Sequence, residues 1–204
     1  MKNLNTTYVL IISFALGLAL FIGLIFFIRQ NKPVEEVVLP VVLEEFSDFE
    51  CPACNAFYDI VETVIAEYDE DELEFRYRHF PLTTIHENAY GAAVASEAAR
   101  EQGKFDEYAA LLFENQNELG ESMFYKIAMD LNLDMEKFEN DLDNEAVIAR
   151  VELDMEEADK RRYNSTPTFV LNGKRLTISS NPESELRDAI QQKIDQAKSQ
   201  AENN

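Results

Sequence analysis

The hydrophobic pattern changes period several times along the chain. From Tyr8 to Ile28 the sequence reads YVLIISFALGLALFIGLIFFI, 21 residues without a charge. At about 1.5 Å per residue a helix of this length covers roughly 30 Å, the thickness of a membrane's hydrocarbon layer. The run ends in the bulky Phe26, Phe27 and Ile28 ahead of Arg29, without the small residues of a cleavage site. An uncleaved membrane anchor is therefore expected in preference to a removed secretory signal. Beyond it, Val41–Phe46 is a short β-branched apolar run and predicts a buried strand. Phe57, Val61, Val64, Ile65 and Tyr68 recur at three and four residues and predict a helix whose first turn holds Pro52. Leu73–Phe80 (LEFRYRHF) alternates, as a strand does.

From about His86 to Tyr163 the period is helical, with breaks at Gly103 and Gly120. Phe105, Ala109, Leu112 and Phe113 share one face, and Phe124, Ile127, Ala128 and Leu131 another. Asp134 is placed to cap the helix holding Phe138 and Leu142. Val147, Ile148, Val151, Met155 and Ala158 line a longer helix ending near Tyr163. These stripes read as core. Thr168–Leu171 predicts a strand, Asn172-Gly173 a tight hairpin, Lys174–Ile178 the returning strand and Pro182–Ala197 a last amphipathic helix.

This order predicts an α/β fold with a partly parallel, mixed sheet. The helical block is too long for one crossover and reads as an inserted subdomain over about 86–163. The expected layout is a membrane anchor in residues 1–32, with its helix about 8–28, and a linker at 33–40. A domain follows at 41–198, then a frayed tail at 199–204.

The chemistry concentrates at Cys51-Pro52-Ala53-Cys54, between a predicted strand and a predicted helix. A cysteine at a helix N-terminus meets unpaired N–H groups and the positive end of the helix dipole, which favour thiolate over thiol. Cys51 is thus the candidate nucleophile, and Cys54 lies within reach to resolve a mixed disulfide. A purely structural bridge would close a tiny loop and constrain little. For zinc, only His79 and His86 are further soft ligands, at a spacing outside the usual finger windows, and neither is assigned to the site. No metal and no cofactor beyond a redox-active Cys51–Cys54 disulfide is expected. Asn164-Ser165-Thr166 matches a glycosylation acceptor, a pattern too frequent by chance to carry weight.

The segment Phe46-Ser47-Asp48-Phe49-Glu50-Cys51-Pro52-Ala53-Cys54 resembles the active-site segment of DsbA-like thiol-disulfide oxidoreductases, which are thioredoxin-fold proteins with an inserted helical subdomain. Arg78-His79-Phe80-Pro81-Leu82, Gln102-Gly103-Lys104-Phe105 and Thr166-Pro167-Thr168-Phe169 followed by Asn172-Gly173 extend the resemblance over about residues 38–197. The resemblance implies that Pro167 is cis and sits against the cysteines. Proline also removes a donor, so the backbone of Thr166 is left to pair with an extended substrate. Glu45, six residues before Cys51, resembles the buried acid beneath the second cysteine and is the candidate proton relay for Cys54; the other reading leaves Glu44 and Glu45 as an exposed strand end. Two departures matter. Ala53 stands where strong oxidases of the family often carry histidine, and Glu50 places a like charge beside Cys51. Both predict a thiol less acidic, and a disulfide less oxidising, than in a CPHC variant.

Composition then bounds the partners. The 204 residues hold 39 acidic and 18 basic side chains, a net of -21. Residues 1–32 contain Lys2, Arg29 and Lys32 and no acid, so the rest carries 15 basic against 39 acidic side chains, a net of -24. That balance excludes nucleic acid and docking on an anionic surface through a basic patch, and it is expected to select against acidic partners. With 46% hydrophobic and 11% aromatic residues, the chain can build a core. The cations flanking the anchor are nearly balanced, so orientation follows from the chemistry, since disulfides persist outside the cytoplasm. The expected protein is a thioredoxin-like, membrane-anchored oxidoreductase with its domain extracytoplasmic. It exchanges disulfides with exported proteins, oxidation favoured, and the resemblance implies a membrane quinone-linked partner for re-oxidation. The rival expectations are a tethered binding or chaperone module with little turnover, and a reductase or isomerase of the same fold.

Overall fold

The computed structural model describes residues 37–202 and the isolated positions Phe14, Gly17, Leu18, Phe21 and Ile22, which are helical and exposed. The rest of the anchor expected over 8–28, and the linker before Val37, lie outside the described residues. Among the described residues no helix is long and apolar enough to cross a membrane. The residues from Val37 onward form a unit of their own.

That unit is built on strand β1 (Val41–Ser47), whose positions are buried along nearly its whole length. β2 (Leu73–His79) lies parallel to it on one side, in a register running from Val41↔Leu73 to Ser47↔His79. β3 (Thr168–Leu171) is antiparallel on the other side, and β4 (Lys174–Arg175) returns beside β3. The sheet order is β2-β1-β3-β4, mixed as expected. β4 is shorter than the predicted Lys174–Ile178. Beyond Arg175, Leu176 N still donates to Phe169 O at 2.8 Å, and Leu176 and Ile178 pack onto the apolar cluster of the sheet. The hairpin between β3 and β4 uses Asn172 and Gly173, both at positive φ (47° and 76°), the backbone that a two-residue turn requires.

The pleat sorts β1 onto two faces. Val41 and Leu43 point to the side covered by α1 (Pro52–Ile65) and α7 (Pro182–Glu202), where Val61, Val64, Leu186, Ile190 and Ile194 close the core. Phe46 points to the opposite side, against Phe80, Val170 and Ala158. Ala158 belongs to α6 (Glu145–Lys160). α7 continues through Glu202, past the frayed tail expected from residue 199, because Ala197 is buried near its end and Lys198 pairs with Glu72.

Between β2 and β3 the chain forms α2 (Ala89–Arg100), α3 (Phe105–Glu114), α4 (Glu121–Asp130), α5 (Met135–Leu142) and α6. α2 begins three residues later than His86. The loop before it is held by Asp48, which accepts from Leu82 N at 2.7 Å and lies 2.8 Å from His86 Nδ1. Asp134 caps α5 by accepting from Lys137 N at 3.0 Å, as predicted. α2 is buried along most of its length, and its many alanines let neighbouring helices approach closely.

One charged residue is buried within α2. Glu97 Oε1 lies 2.9 Å from His79 Nε2 and accepts from Arg100 Nε at 2.9 Å, while Oε2 accepts from Arg150 Nε at 2.6 Å. It ties β2, α2 and α6 together. Burial pushes its pKa up, but His79 and Arg100 outweigh burial and hold it near 2. A carboxylate depressed in the fold stabilises above its unfolded pKa of about 4.5 and loses that contribution as pH falls towards 2. Glu97→Gln is therefore expected to cost about 2 kcal/mol at neutral pH, because it removes the buried carboxylate that accepts from Arg100 and Arg150 and lies against the buried His79 ring. The cost should shrink below pH about 4.5 in urea titrations. A gap that stays constant down to pH about 3 would contradict the assignment.

Candidate active site

β1 ends at Ser47, and the chain turns through Asp48, Phe49 and Glu50 before α1 starts. Asp48 is buried and holds this turn. Its Oδ1 accepts from Glu50 N at 2.8 Å, and its carbonyl accepts from Cys51 N at 3.1 Å. Phe49 is inserted behind the turn, stacked on Tyr77 at 5.2 Å and against Phe113 at 5.1 Å. Cys51 is the N-cap of α1, with φ -76° and ψ 119°, and Pro52 takes the first helical position. Its carbonyl accepts from Asn55 N at 3.2 Å, so the helix starts directly behind the sulfur.

Two amides, Gln116 from the helical subdomain and Asn55 from α1, clamp this arrangement. Gln116, in a single 3-10 turn (Gln116–Glu118) after α3, donates through Nε2 to Phe49 O at 2.8 Å and to Cys51 O at 3.0 Å. Asn55 Nδ2 donates to Phe113 O at 3.1 Å and Gln116 Oε1 at 3.3 Å. Sequence reasoning missed Gln116 and Asn55, which carry no local signal. It also passed over Asp48, although an aspartate two residues before a backbone N–H in a turn is a recognisable pattern.

Both cysteines are free thiols and buried, Cys51 with 7% of its surface exposed and Cys54 with none. Their environments push them apart. The Cys54 thiol donates towards Cys51, and that contact drives the Cys51 pKa down against the effect of burial; the Thr166 hydroxyl and the N–H groups of Cys54 and Ala53 help. Burial above all, then the same contact with Cys51, pushes Cys54 strongly up. A difference between an attacking sulfur whose ionisation is favoured and a partner held protonated is thus built into the site. Glu50, next to Cys51 in the chain, turns its carboxylate to another element. Its carboxylate accepts from Asn88 N at 2.6 Å and Asn88 Nδ2 at 3.0 Å, serving the start of α2.

The loop before β3 completes the site. The Thr166–Pro167 bond is cis, as is Leu39–Pro40 in the linker. Cys51 Sγ lies 3.5 Å from Thr166 O. Thr166 Oγ1 is buried without a partner, free to donate to a thiolate. A groove of about 460 Å³ runs from Pro167 past Phe57 and Phe169 to Ile178.

Glu45 is not an exposed strand end. It continues the Val41–Leu43 face of β1, sits opposite Tyr77 in β2, and is 4% exposed. Burial pushes its pKa up from 4.5 to about 7, opposed by the Ser47 hydroxyl and aided by the charges of Glu62 and Cys51. Ser47 Oγ and Tyr77 Oη are buried without hydrogen-bond partners, and both influence the Cys54–Glu45 neighbourhood. Glu44, one residue away on the other face, is neutralised differently, by Arg161 Nη1 at 3.0 Å and Arg78 Nε at 3.5 Å. The two histidines are engaged elsewhere, His79 by Glu97 and His86 by Asp48.

This architecture is shared with known proteins. Residues 39–192 match the family model described as thioredoxin. A 138-residue stretch is 41% identical to part of the Na(+)/H(+) antiporter NhaA 1 of Mycobacterium sp. (strain KMS), covering 67% of this chain and 22% of that protein. The chain thus spans about a fifth of the length of the curated relatives it matches. A thioredoxin-like oxidoreductase from Silicibacter pomeroyi DSS-3 superposes with a TM-score of 0.64 at 27% identity, covering 79% of this chain and 93% of that one. The oxidoreductase DsbA from Xylella fastidiosa superposes with a TM-score of 0.66 at 18% identity, covering 82% and 90%. The chain belongs to the thioredoxin family, and its fold is DsbA-like.

The state of Glu45 sets a pH dependence opposite to that of Glu97. An acid whose folded pKa lies above its unfolded one costs nothing below pH about 4.5, and its penalty grows until pH passes about 7. Glu45→Gln should make the reduced protein roughly 3 kcal/mol more stable than wild type at pH about 8, with the curves converging near pH 4. Equal stabilities at pH about 8 would mean that the carboxyl is solvated.

Proposed function

We propose that this member of the thioredoxin family is an extracytoplasmic thiol-disulfide oxidoreductase that exchanges disulfides with exported proteins, chiefly as an oxidase. The observation that carries the reading is the unequal treatment of the two sulfurs at the start of α1, with Cys51 pushed down and Cys54 pushed up. Stabilising the reduced form through the Cys51 thiolate makes the Cys51–Cys54 disulfide a better oxidant.

A substrate thiolate attacks Cys51 Sγ of the disulfide, forming a mixed disulfide and releasing Cys54 as thiolate. Cys54, whose pKa is high, takes a proton; Glu45, poised near 7, supplies it and recovers it from solvent. A second substrate thiolate attacks the substrate sulfur, and Cys51 leaves as a stabilised thiolate. Two electrons pass from the substrate dithiol to the cysteine pair. Thr166, through its backbone, and Pro167 hold the substrate as an extended strand. In the opposite direction, Cys51 attacks a substrate disulfide and Cys54 resolves the intermediate. The apolar run at residues 8–28 supports anchoring to the cell membrane, with the domain outside it, and re-oxidation falls to a quinone-linked membrane partner.

Equilibration with glutathione should place the potential of the Cys51–Cys54 pair above that of glutathione. Ala53→His should raise it further by adding a cationic donor beside the Cys51 thiolate. A potential below that of glutathione would favour the reductase reading. Cysteines inert to thiol labelling before and after reductant would favour the binding module. Glu45→Gln should slow exchange; unchanged rates would remove Glu45 from the mechanism.

A further inference from the structure

The groove that starts at Pro167 mixes apolar side chains with hydroxyls and a single cation. Phe57, Pro167, Phe169, Leu176 and Ile178 form it with two threonines and Arg175, and no acidic side chain lines it among the described residues. Arg175 projects from the hairpin strand β4, opposite Val170. Its guanidinium lies 5.5 Å from the ring centroid of Tyr163, and Nη2 is 3.5 Å from Ser165 Oγ. Ser165 immediately precedes Thr166, whose carbonyl touches Cys51 Sγ. The guanidinium is thus tied to the residue just before the loop that touches Cys51.

Several cations of its region are paired within the chain. Lys160 pairs with Glu156, Arg161 with Glu157 and Glu44, and Arg78 with Asp154. Among the described residues no carboxylate pairs with Arg175. In a domain with 39 acids and 15 bases, an arginine left to an aromatic face and a hydroxyl is positioned for an anion from outside.

We propose that Arg175 is a specificity-determining residue and that the groove prefers substrate chains carrying Asp or Glu close to the cysteine that reacts with Cys51. The proposal rests on the oxidoreductase reading above and names a substrate class for it. An extended chain paired with the backbone of Thr166 turns alternate side chains towards the groove, so an acid within about two residues of the cysteine meets the guanidinium. The net charge of -24 opposes acidic partners at a distance, but salt screens it beyond about 8 Å, whereas the Arg175 contact is direct. The sequence-level expectation of discrimination against acidic partners is thus reversed inside this groove.

The test uses the full chain in detergent, in its disulfide form, oxidising synthetic dithiol peptides identical except for Asp, Asn or Lys two residues from the first cysteine. Wild type should show kcat/KM roughly three- to ten-fold higher for Asp than for Lys at about 0.02 M salt, with most of the difference gone at about 0.5 M. Arg175→Gln should bring the ratio towards one, and Arg175→Glu should invert it. Exchange with glutathione, measured on the same wild-type sample, reports separately on the underlying redox reading. Wild type that exchanges with glutathione but shows the same Asp-to-Lys ratio as Arg175→Glu would overturn the role of Arg175. Wild type that exchanges with neither glutathione nor peptide would overturn the redox reading beneath it.

Discussion

The site depends on one buried carboxylate. Asp48 accepts from Glu50 N, Leu82 N and the His86 ring, all within 2.8 Å, and so joins the β1–α1 turn to the connection that follows β2. A buried anion with so many donors fixes both connections at once, since releasing any one would leave a charge under-solvated. Cys51 then has little freedom in where α1 begins. The packing of Phe49 behind the turn and the amide of Gln116 across it draw the helical subdomain into the same constraint. The inserted helices therefore do more than cover the sheet, because they supply the third wall that holds the cysteine loop.

Adjacent glutamates on β1 show how a pleated strand separates two uses of the same side chain. Glu44 faces α6 and is matched by two arginines, so its charge is kept and paired. Glu45 faces α1, has no cation, and answers burial by holding its proton to about pH 7. The same logic separates the cysteines, one at the helix start among donors and the other one turn deeper among buried groups. Reactivity here comes from where desolvation is compensated and where it is not.

Much of this was legible in the sequence because it rests on local rules. The start of α1, the mixed sheet, the Asn172-Gly173 hairpin and the Asp134 cap follow from period, turn chemistry and capping, all encoded within a few residues; α1 ends at Ile65, short of the Tyr68 that its period suggested. Cys51, Cys54 and Pro167 were legible because the motif carries its own context. What escaped depends on long-range contact. Gln116 reaches the cysteine loop from 65 residues away, and nothing around it marks it. Glu50 was read by its proximity to Cys51 along the chain, yet its carboxylate is turned to the start of α2. The late start of α2 has the same origin, since the His86 loop is shaped by Asp48 and not by helix propensity.

Charge is the clearest case in which a global count and a local arrangement diverge. A net of -24 describes a surface that repels anions on average. Screening confines that average to short range, so the sign that matters to a docked chain is set by the few groups within a Debye length of the cysteine. Around Thr166 and Pro167 those groups include Arg161 at the end of α6, matched by Glu44 and Glu157, and Arg175 on β4. That pairing weakens the field of Arg161 in the groove, and Arg175, held among the described residues by a ring and a hydroxyl, retains its own. In such a domain, the distribution of partners among the arginines decides which surface remains positive, and the total charge does not.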